Sequence, residues 1–399
     1  MTSSSQIVVI SPEAHYPAHN WPNTVALMRA LRRKGQSVRA ITFTTSAEPA
    51  PPDLADGVQP VFHRPPPGWK GVATGKWTER RLRGLMNIIE TMACLFKAAW
   101  LARRNPPAVL HFIGGSYWVV VLAALWFKKL RFVYSLYGGM LSGPAHGWKA
   151  RLRPHLKNLL QRAAVTGRIE FTCENELLHE EITPLVGSHI HVIPYAIDDT
   201  EVLPSREESR RRLDLPLSDK IILFFGTHRR EKDYRTALEG CRALPVPPLV
   251  LFVGKVISDN DPRQVVADCC YPHSRIVDEF VPEEMTKHYF AAADAVALPY
   301  EASFSRGSGV LIECCRHLRP MIASASPYFL SFLARYPCGV SYIPGDSASF
   351  ADAAQRVLPD GVSFRMALET ARHDHSWMAA ADQYIRLYSQ RAGGTANQV

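Results

Sequence analysis

Residues 294–324 read Asp294-Ala-Val-Ala-Leu-Pro-Tyr-Glu-Ala-Ser-Phe-Ser-Arg-Gly-Ser-Gly-Val-Leu-Ile-Glu-Cys-Cys-Arg-His-Leu-Arg-Pro-Met-Ile-Ala-Ser324, a strand, loop, helix, strand sequence. Ala295 to Leu298 is an apolar run stopped by Pro299, and Arg306-Gly307-Ser308-Gly309 is a flexible turn. It opens into the helical Val310-Leu311-Ile312-Glu313-Cys314-Cys315, which Pro320 closes before Met321-Ile322-Ala323. A turn of small residues at a helix N-terminus presents free N–H groups and the positive end of the helix dipole, and lets a diphosphate reach the main chain. The same turn serves equally as an ordinary strand-to-helix connection, so the turn alone leaves both readings open.

Upstream, the same alternation repeats. Lys220 to Phe225, Pro248 to Val253 and Arg275 to Phe280 read as strands, with helices over 234–244, 263–269 and 282–292. The first half carries its own array: strands at Ile7 to Ile10, Val38 to Phe43, Ala108 to Phe112, Arg131 to Leu136, Ile169 to Cys173 and Ile190 to Ile193. Helices are expected over 24–34, 82–102, 148–164 and 176–183, with a buried one over 117–127. Residues 47–71, rich in Pro and Gly, read as irregular. The loop 11–22 is long, aromatic and prolyl and lacks G-x-G-x-x-G, which argues against a dinucleotide site in the first half. A polar linker at 196–205 separates two βα arrays, so the expected fold class is α/β with two Rossmann-like doubly wound domains. The boundaries fall at 1–195, 196–375 and 376–399, the last an amphipathic helix from Trp377 with its tail.

The chain has 399 residues, 47% apolar and 21% charged, as expected of a soluble protein. No signal peptide is read at the N-terminus, and the apolar run 117–127 is too short to cross a bilayer. Eight cysteines without a Cys-x-x-Cys pair suggest reduced packing residues and a cytoplasmic setting. The net charge of +9 is unevenly spread, for no acidic residue lies between Glu90 and Glu170 while twelve Lys and Arg do. The helix over 148–164, expected to start near Pro154, is basic and amphipathic. An anionic membrane, an anionic acceptor, nucleic acid or merely a solvated basic surface all satisfy this pattern, although no nucleic-acid motif accompanies it.

Together these features resemble the GT-B glycosyltransferases, in particular the retaining Glu-x7-Glu type often called family 4. The resemblance covers most of the chain, with its specific motifs in the second half. Phe225-Gly226-Thr-His-Arg229-Arg230-Glu-Lys232 is similar to the loop in which an Arg and a Lys hold the donor diphosphate; Asp233 stands where a Gly usually follows the Lys. The resemblance implies that Arg229 and Lys232 stabilise the charge growing on the leaving group. It implies further that the Gly307-Ser308-Gly309-Val310 turn receives phosphate and that Glu313 holds the ribose hydroxyls. Eight residues before Glu313 stands Ser305 rather than the family's first Glu, so Ser305, Glu301 or the backbone of Arg306-Gly307 would take over its contact with the sugar. In the first half the family's His-x-His is His111-Phe112-Ile113 and its Thr-His-Gly is Leu136-Tyr137-Gly138. His111, His15 and His19 are candidates for polar contacts at the cleft, and Gly114-Gly115 and Gly138-Gly139 for its floor.

The resemblance therefore implies a GT-B enzyme, two Rossmann-like domains facing across a cleft. It would move a hexose, with retention, from a UDP- or GDP-linked donor to a glycan, lipid-linked or small-molecule acceptor. No cofactor is implied; the family does not generally depend on a divalent metal, and no Asp-x-Asp is read near the cleft strands. The expected setting is cytoplasmic, with peripheral contact at the inner face of an anionic membrane as a further partner and no nucleic acid. A catalytically degenerate binding or scaffold protein and a sugar-nucleotide epimerase are the rival readings.

Overall fold

The computed structural model describes residues 6–14, 20–44, 51–64, 77–103, 109–137, 140, 148–305, 307–359 and 363–390. The chain falls into two compact units, Met1–Pro194 with Trp377–Val399, and Tyr195–Ser376.

Unit 1 contains β1 (Ile7–Ser11), α1 (Asn20–Arg33), β2 (Val38–Thr44), β3 (Val58–Phe62), α2 (Trp77–Ala102) and β4 (Val109–Ile113). It continues through α3 (Tyr117–Trp126), β5 (Phe132–Ser135), α4 (Trp148–Val165), β6 (Ile169–Cys173), α5 (Glu176–Val186) and β7 (Ile190–Val192). The seven strands form one parallel sheet in the order β3-β2-β1-β4-β5-β6-β7. β1 and β4 bury all five of their residues, as parallel strands covered on both faces must. One apolar core joins these strands to Cys94, Leu95 and Ala98 of α2, Val120 and Val121 of α3, Leu160 and Ala163 of α4, and Ile182 of α5.

Unit 2 contains α6 (Arg206–Arg212), β8 (Ile221–Phe225), α7 (Tyr234–Arg242), β9 (Leu249–Val253), α8 (Pro262–Asp268), β10 (Ser274–Val277), α9 (Glu283–Ala292) and β11 (Ala295–Leu298). After these come α10 (Gly309–Arg316), β12 (Met321–Ser324), α11 (Pro327–Arg335), β13 (Gly339–Tyr342), α12 (Ser347–Val357) and α13 (Arg365–Asp374). Its parallel sheet runs β10-β9-β8-β11-β12-β13. The last helix, α14 (Trp377–Ser389), belongs to unit 1. It pairs Asp382 with Lys34 at 2.8 Å, and the Tyr388 carbonyl accepts from Arg131 at 2.9 Å.

The elements depart from the sequence reading in ways that have local causes. The 47–71 excursion contains β3, an edge strand in which Pro60 is tolerated because the outer side needs no ladder donor. α1 starts at Asn20 rather than Thr24, with Pro22 in the first turn, where the missing N–H is no loss. α4 starts at Trp148, and Pro154 lies inside it; Pro184 likewise lies inside α5, so each proline costs one helical bond without ending the helix. α3 is only half buried, since Leu122 and Trp126 are exposed. α6 has no apolar period at all. It is held by Arg210, fully buried, which donates to the carbonyls of Ala292, Pro216, Leu217 and Asp219 and pairs with Asp294 at 2.8 Å. All eight cysteines are free, and only Cys270 is exposed.

Candidate functional site

The strand order of unit 2 reverses between β8 and β11, so the loops leaving these two strands diverge and open a crevice at their carboxyl ends. Both phosphate-loop candidates are those loops. After β8 the chain turns at Gly226, whose φ of +85° suits glycine; a Cβ there would lie 3.2 Å from Val310 Cγ2 and 3.8 Å from Lys232 Nζ. Lys232, Gly226 and Val310 are thus brought together. After β11, Tyr300 bridges to Lys232 as an isolated antiparallel pair, and the Asp233 N–H donates to Pro299 O at 2.6 Å.

Lys232 is 6% exposed. Its Nζ donates to the Phe225 carbonyl at 2.8 Å and lies 5.8 Å from the Tyr300 ring centroid. Among the described residues it forms no ion pair with a carboxylate. Burial, and then the charge of Arg229, push its pKa from 10.5 down to about 7. A buried ammonium without an anion is an unmet electrostatic demand. Arg229 is half exposed, its Nε donating to Thr227 Oγ1 at 3.0 Å and its Nη1 lying 3.9 Å from Glu231 Oε1. Asn260 braces the loop by donating to the carbonyls of Arg229 and Lys232 at 2.9 and 2.7 Å. Asp233, in the place of the family's Gly, caps α7: its carboxylate accepts from Thr236 N at 3.1 Å and Thr236 Oγ1 at 2.5 Å.

Ser308 caps α10 and accepts from Leu311 N at 3.4 Å. Burial pushes the pKa of the Tyr300 hydroxyl up, and the Ser308 side chain works against that rise. A Cβ on Gly309 would meet nothing within 4 Å, so there is open space beside the first turn. One turn on, Glu313 accepts from His317 Nε2 at 3.1 Å and lies 3.6 Å from Arg316 Nη1. Burial works to raise its pKa, but His317 and Arg316 hold the carboxylate below its ordinary value. Arg316 is in turn held by Glu201 and Glu283. Ser305 and Glu301 are exposed in the connecting turn, Gly307 is half buried, and Arg306 lies outside the described residues. Sequence reasoning did not single out Tyr300, Asn260 or His317.

An Asp-x-Asp does follow β9, contrary to the sequence reading: Asp259-Asn260-Asp261. Its third member is committed to structure, capping α8 and pairing with Arg263 at 2.9 Å, and Asn260 is the brace just described.

In unit 1 the sheet reverses between β1 and β4. Gly114 and Gly115 close β4 with φ of +78° and +85°. A Cβ on Gly115 would sit 2.7 Å from Thr91 Oγ1, so the glycine permits close packing of α2. Glu13, overlooked in the sequence, accepts from Asn87 Nδ2 at 2.6 Å and from Gly115 N at 3.4 Å. His111 is not a cleft residue. It is fully buried, bonded through Nδ1 to Tyr388 Oη at 2.7 Å and through Nε2 to Ser135 Oγ at 2.8 Å, and burial pushes its pKa down to about 3. It fastens α14 to the sheet. His15, His19, Gly138 and Gly139 lie outside the described residues.

Residues 21–196 match the family described as glycosyl transferase 4-like domain. A putative teichuronic acid biosynthesis glycosyltransferase, TuaC of Bacillus subtilis (strain 168), is 27% identical over 187 residues, which span 45% of this chain and 45% of that protein. Among solved structures, sucrose-phosphate synthase from Thermosynechococcus elongatus superposes with a TM-score of 0.68 at 19% identity, covering 96% of this chain and 98% of that one. Anabaena HepE in complex with UDP and glucose superposes with a TM-score of 0.63 at 15% identity, covering 96% and 99%. The chain therefore has the GT-B fold of two Rossmann-like units, and its first unit matches a glycosyl transferase 4-like domain.

Proposed function

We propose that this protein is a retaining glycosyltransferase that moves a hexosyl group from a nucleoside diphosphate sugar, UDP- or GDP-linked, to a glycan, lipid-linked or small-molecule acceptor. The observation that carries the reading is Lys232: a buried ammonium that meets the Phe225 carbonyl and the Tyr300 ring and, among the described residues, no carboxylate, at the switch point of unit 2 and beside the α10 turn. A diphosphate placed there meets Lys232, Arg229 and the backbone of Ser308, Gly309 and Val310, with Ser305 and Gly307 at the edge. Its negative charge grows as the sugar–phosphate bond breaks, and fixed cations with a helix dipole stabilise that charge. Glu313, kept ionised by His317 and Arg316, is ready to accept hydrogen bonds from two ribose hydroxyls. The UDP bound by HepE supports the choice of nucleotide. Glu13 with Asn87 offers polar contacts to acceptor hydroxyls in unit 1. The setting is cytoplasmic, with the basic first unit in peripheral contact with an anionic membrane.

The test is a calorimetric and thermal-shift series with UDP, GDP and ADP and their sugar conjugates. Saturable binding of one nucleotide, lost in Lys232→Met, is expected, and no binding of any would refute the donor site. A sugar-nucleotide-binding protein without turnover is the alternative that Ser305 raises; transfer or slow hydrolysis of the sugar by purified protein would exclude it.

A further inference from the structure

Helix α2 is built the wrong way round for a helix facing water. Its buried side carries Glu90 and Thr91, both 0% exposed, beside Cys94 and Leu95. Its outer side exposes Leu85, Ile88, Ile89, Met92, Phe96 and Trp100, a stripe at helical spacing about 22 Å long. The neighbouring α3 adds Leu122, 54% exposed, and Trp126, 82% exposed. Since α2, α3 and α4 pack on one core against the same side of the sheet, their outer faces belong to one surface. Across it, α4 exposes Arg151, Lys157 and Arg162, and Lys128 and Lys129 follow Trp126; no acidic residue occurs from 91 to 169. A continuous apolar stripe of this size is not a solvent-facing design.

We infer that this face docks on an anionic lipid surface, with α2 lying in the interfacial plane, its outer stripe among the acyl chains and Lys128, Lys129 and the cations of α4 at the headgroups. The segment Arg83–Ala102 is, among the described residues, long and apolar enough to cross a membrane by length and composition. It does not span here, because its inner side is committed to the unit 1 core and Lys97 donates to the Pro60 carbonyl. The charge pattern selects lipid over a second copy of the chain: two such faces would bring like charges together, whereas phosphate headgroups complement them. This rests on the peripheral-membrane part of the function proposed above, not on its donor site.

The test is flotation of the full chain with vesicles of phosphatidylcholine alone or mixed with phosphatidylglycerol, at low and high salt. Binding to the anionic vesicles that weakens with salt is expected. The triple variant Leu85→Ser, Phe96→Ser, Trp126→Ser, at exposed sites, should lose at least about tenfold in partitioning while keeping its far-ultraviolet circular dichroism and its nucleotide-induced thermal shift. Lys157→Glu with Arg162→Glu should remove the preference for anionic vesicles. Failure of the wild type to float, or equal flotation of the triple variant, would overturn the inference, as would a wild-type dimer that the triple variant dissociates. A retained nucleotide shift in any of these cases leaves the glycosyl-transfer reading intact.

Discussion

Replacing Lys232 with Met should make unit 2 more stable and empty it of function. In the free protein the ammonium is buried against one carbonyl, and its pKa falls from 10.5 to about 7. That difference corresponds to roughly 3–5 kcal/mol of penalty on the charged form. The native state refuses above pH 7 a proton that the unfolded chain keeps up to 10.5, so this lysine's contribution to stability rises with pH across that window and is flat below it. Met fills the same space without charge but gives up the bond to Phe225 O, worth about 1 kcal/mol. Lys232→Met should therefore exceed the wild type by a few kcal/mol at pH 6, and the gap should shrink steadily towards pH 10. Urea unfolding of both proteins at several pH values reads this directly. A complementary signature lies in binding: a diphosphate restores the charge, so nucleotide binding by the wild type at pH 8 should take up close to one proton, measured by calorimetry in buffers of different ionisation enthalpy. A pH-independent gap, a variant less stable throughout, or binding without proton uptake would each show that the ammonium is not waiting for an anion.

Glu313→Ala should weaken UDP or GDP binding at least about tenfold, and the variant should bind the 2′-deoxy nucleotide as well as the ribo form; unchanged affinity would remove Glu313 from the ribose. Gly226→Ala places a Cβ 3.2 Å from Val310 at a φ of +85° and should cost about 1–3 kcal/mol, read by thermal unfolding, with weaker nucleotide binding; a neutral result would show that the loop relaxes freely. His111 is held neutral down to about pH 3, while its unfolded counterpart protonates near 6.5, so this residue removes stability as pH falls through that window. In His111→Phe that part of the acid sensitivity should vanish, the protein should lose about 1–3 kcal/mol at pH 7 through the lost bonds to Tyr388 and Ser135, the latter keeping Thr172 and Tyr384, and nucleotide binding should not change; a loss of binding with full stability would return His111 to the site.

The two loops proposed to hold the donor could be picked out in the sequence because each is a local arrangement. Gly226, Arg229 and Lys232 follow one apolar strand within a few residues, and Ser308, Gly309 and Glu313 share one helix start. What each residue does there required neighbours distant in the chain: Asn260 braces the Lys232 loop across 28 residues, and His111 meets Tyr388 across 277. Asp233, which looked like a departure from a pattern, is a helix cap.

By itself the sequence determined the two α/β arrays, because parallel strands buried on both faces are apolar runs and helices declare themselves by period. It could not show β3, whose Pro60 is allowed only by an edge position, or α6, whose Arg210 is satisfied by carbonyls of Ala292 and of the 216–219 loop. Nor could it show which side of α2 faces out. Apolar residues surround much of that helix, so periodicity leaves its orientation open, and only packing against β1, β2 and β3 decides that Glu90 goes inward and Phe96 meets the solvent. Periodicity records what a segment is able to bury; the tertiary structure decides what it does bury, because burial is a property of the neighbours.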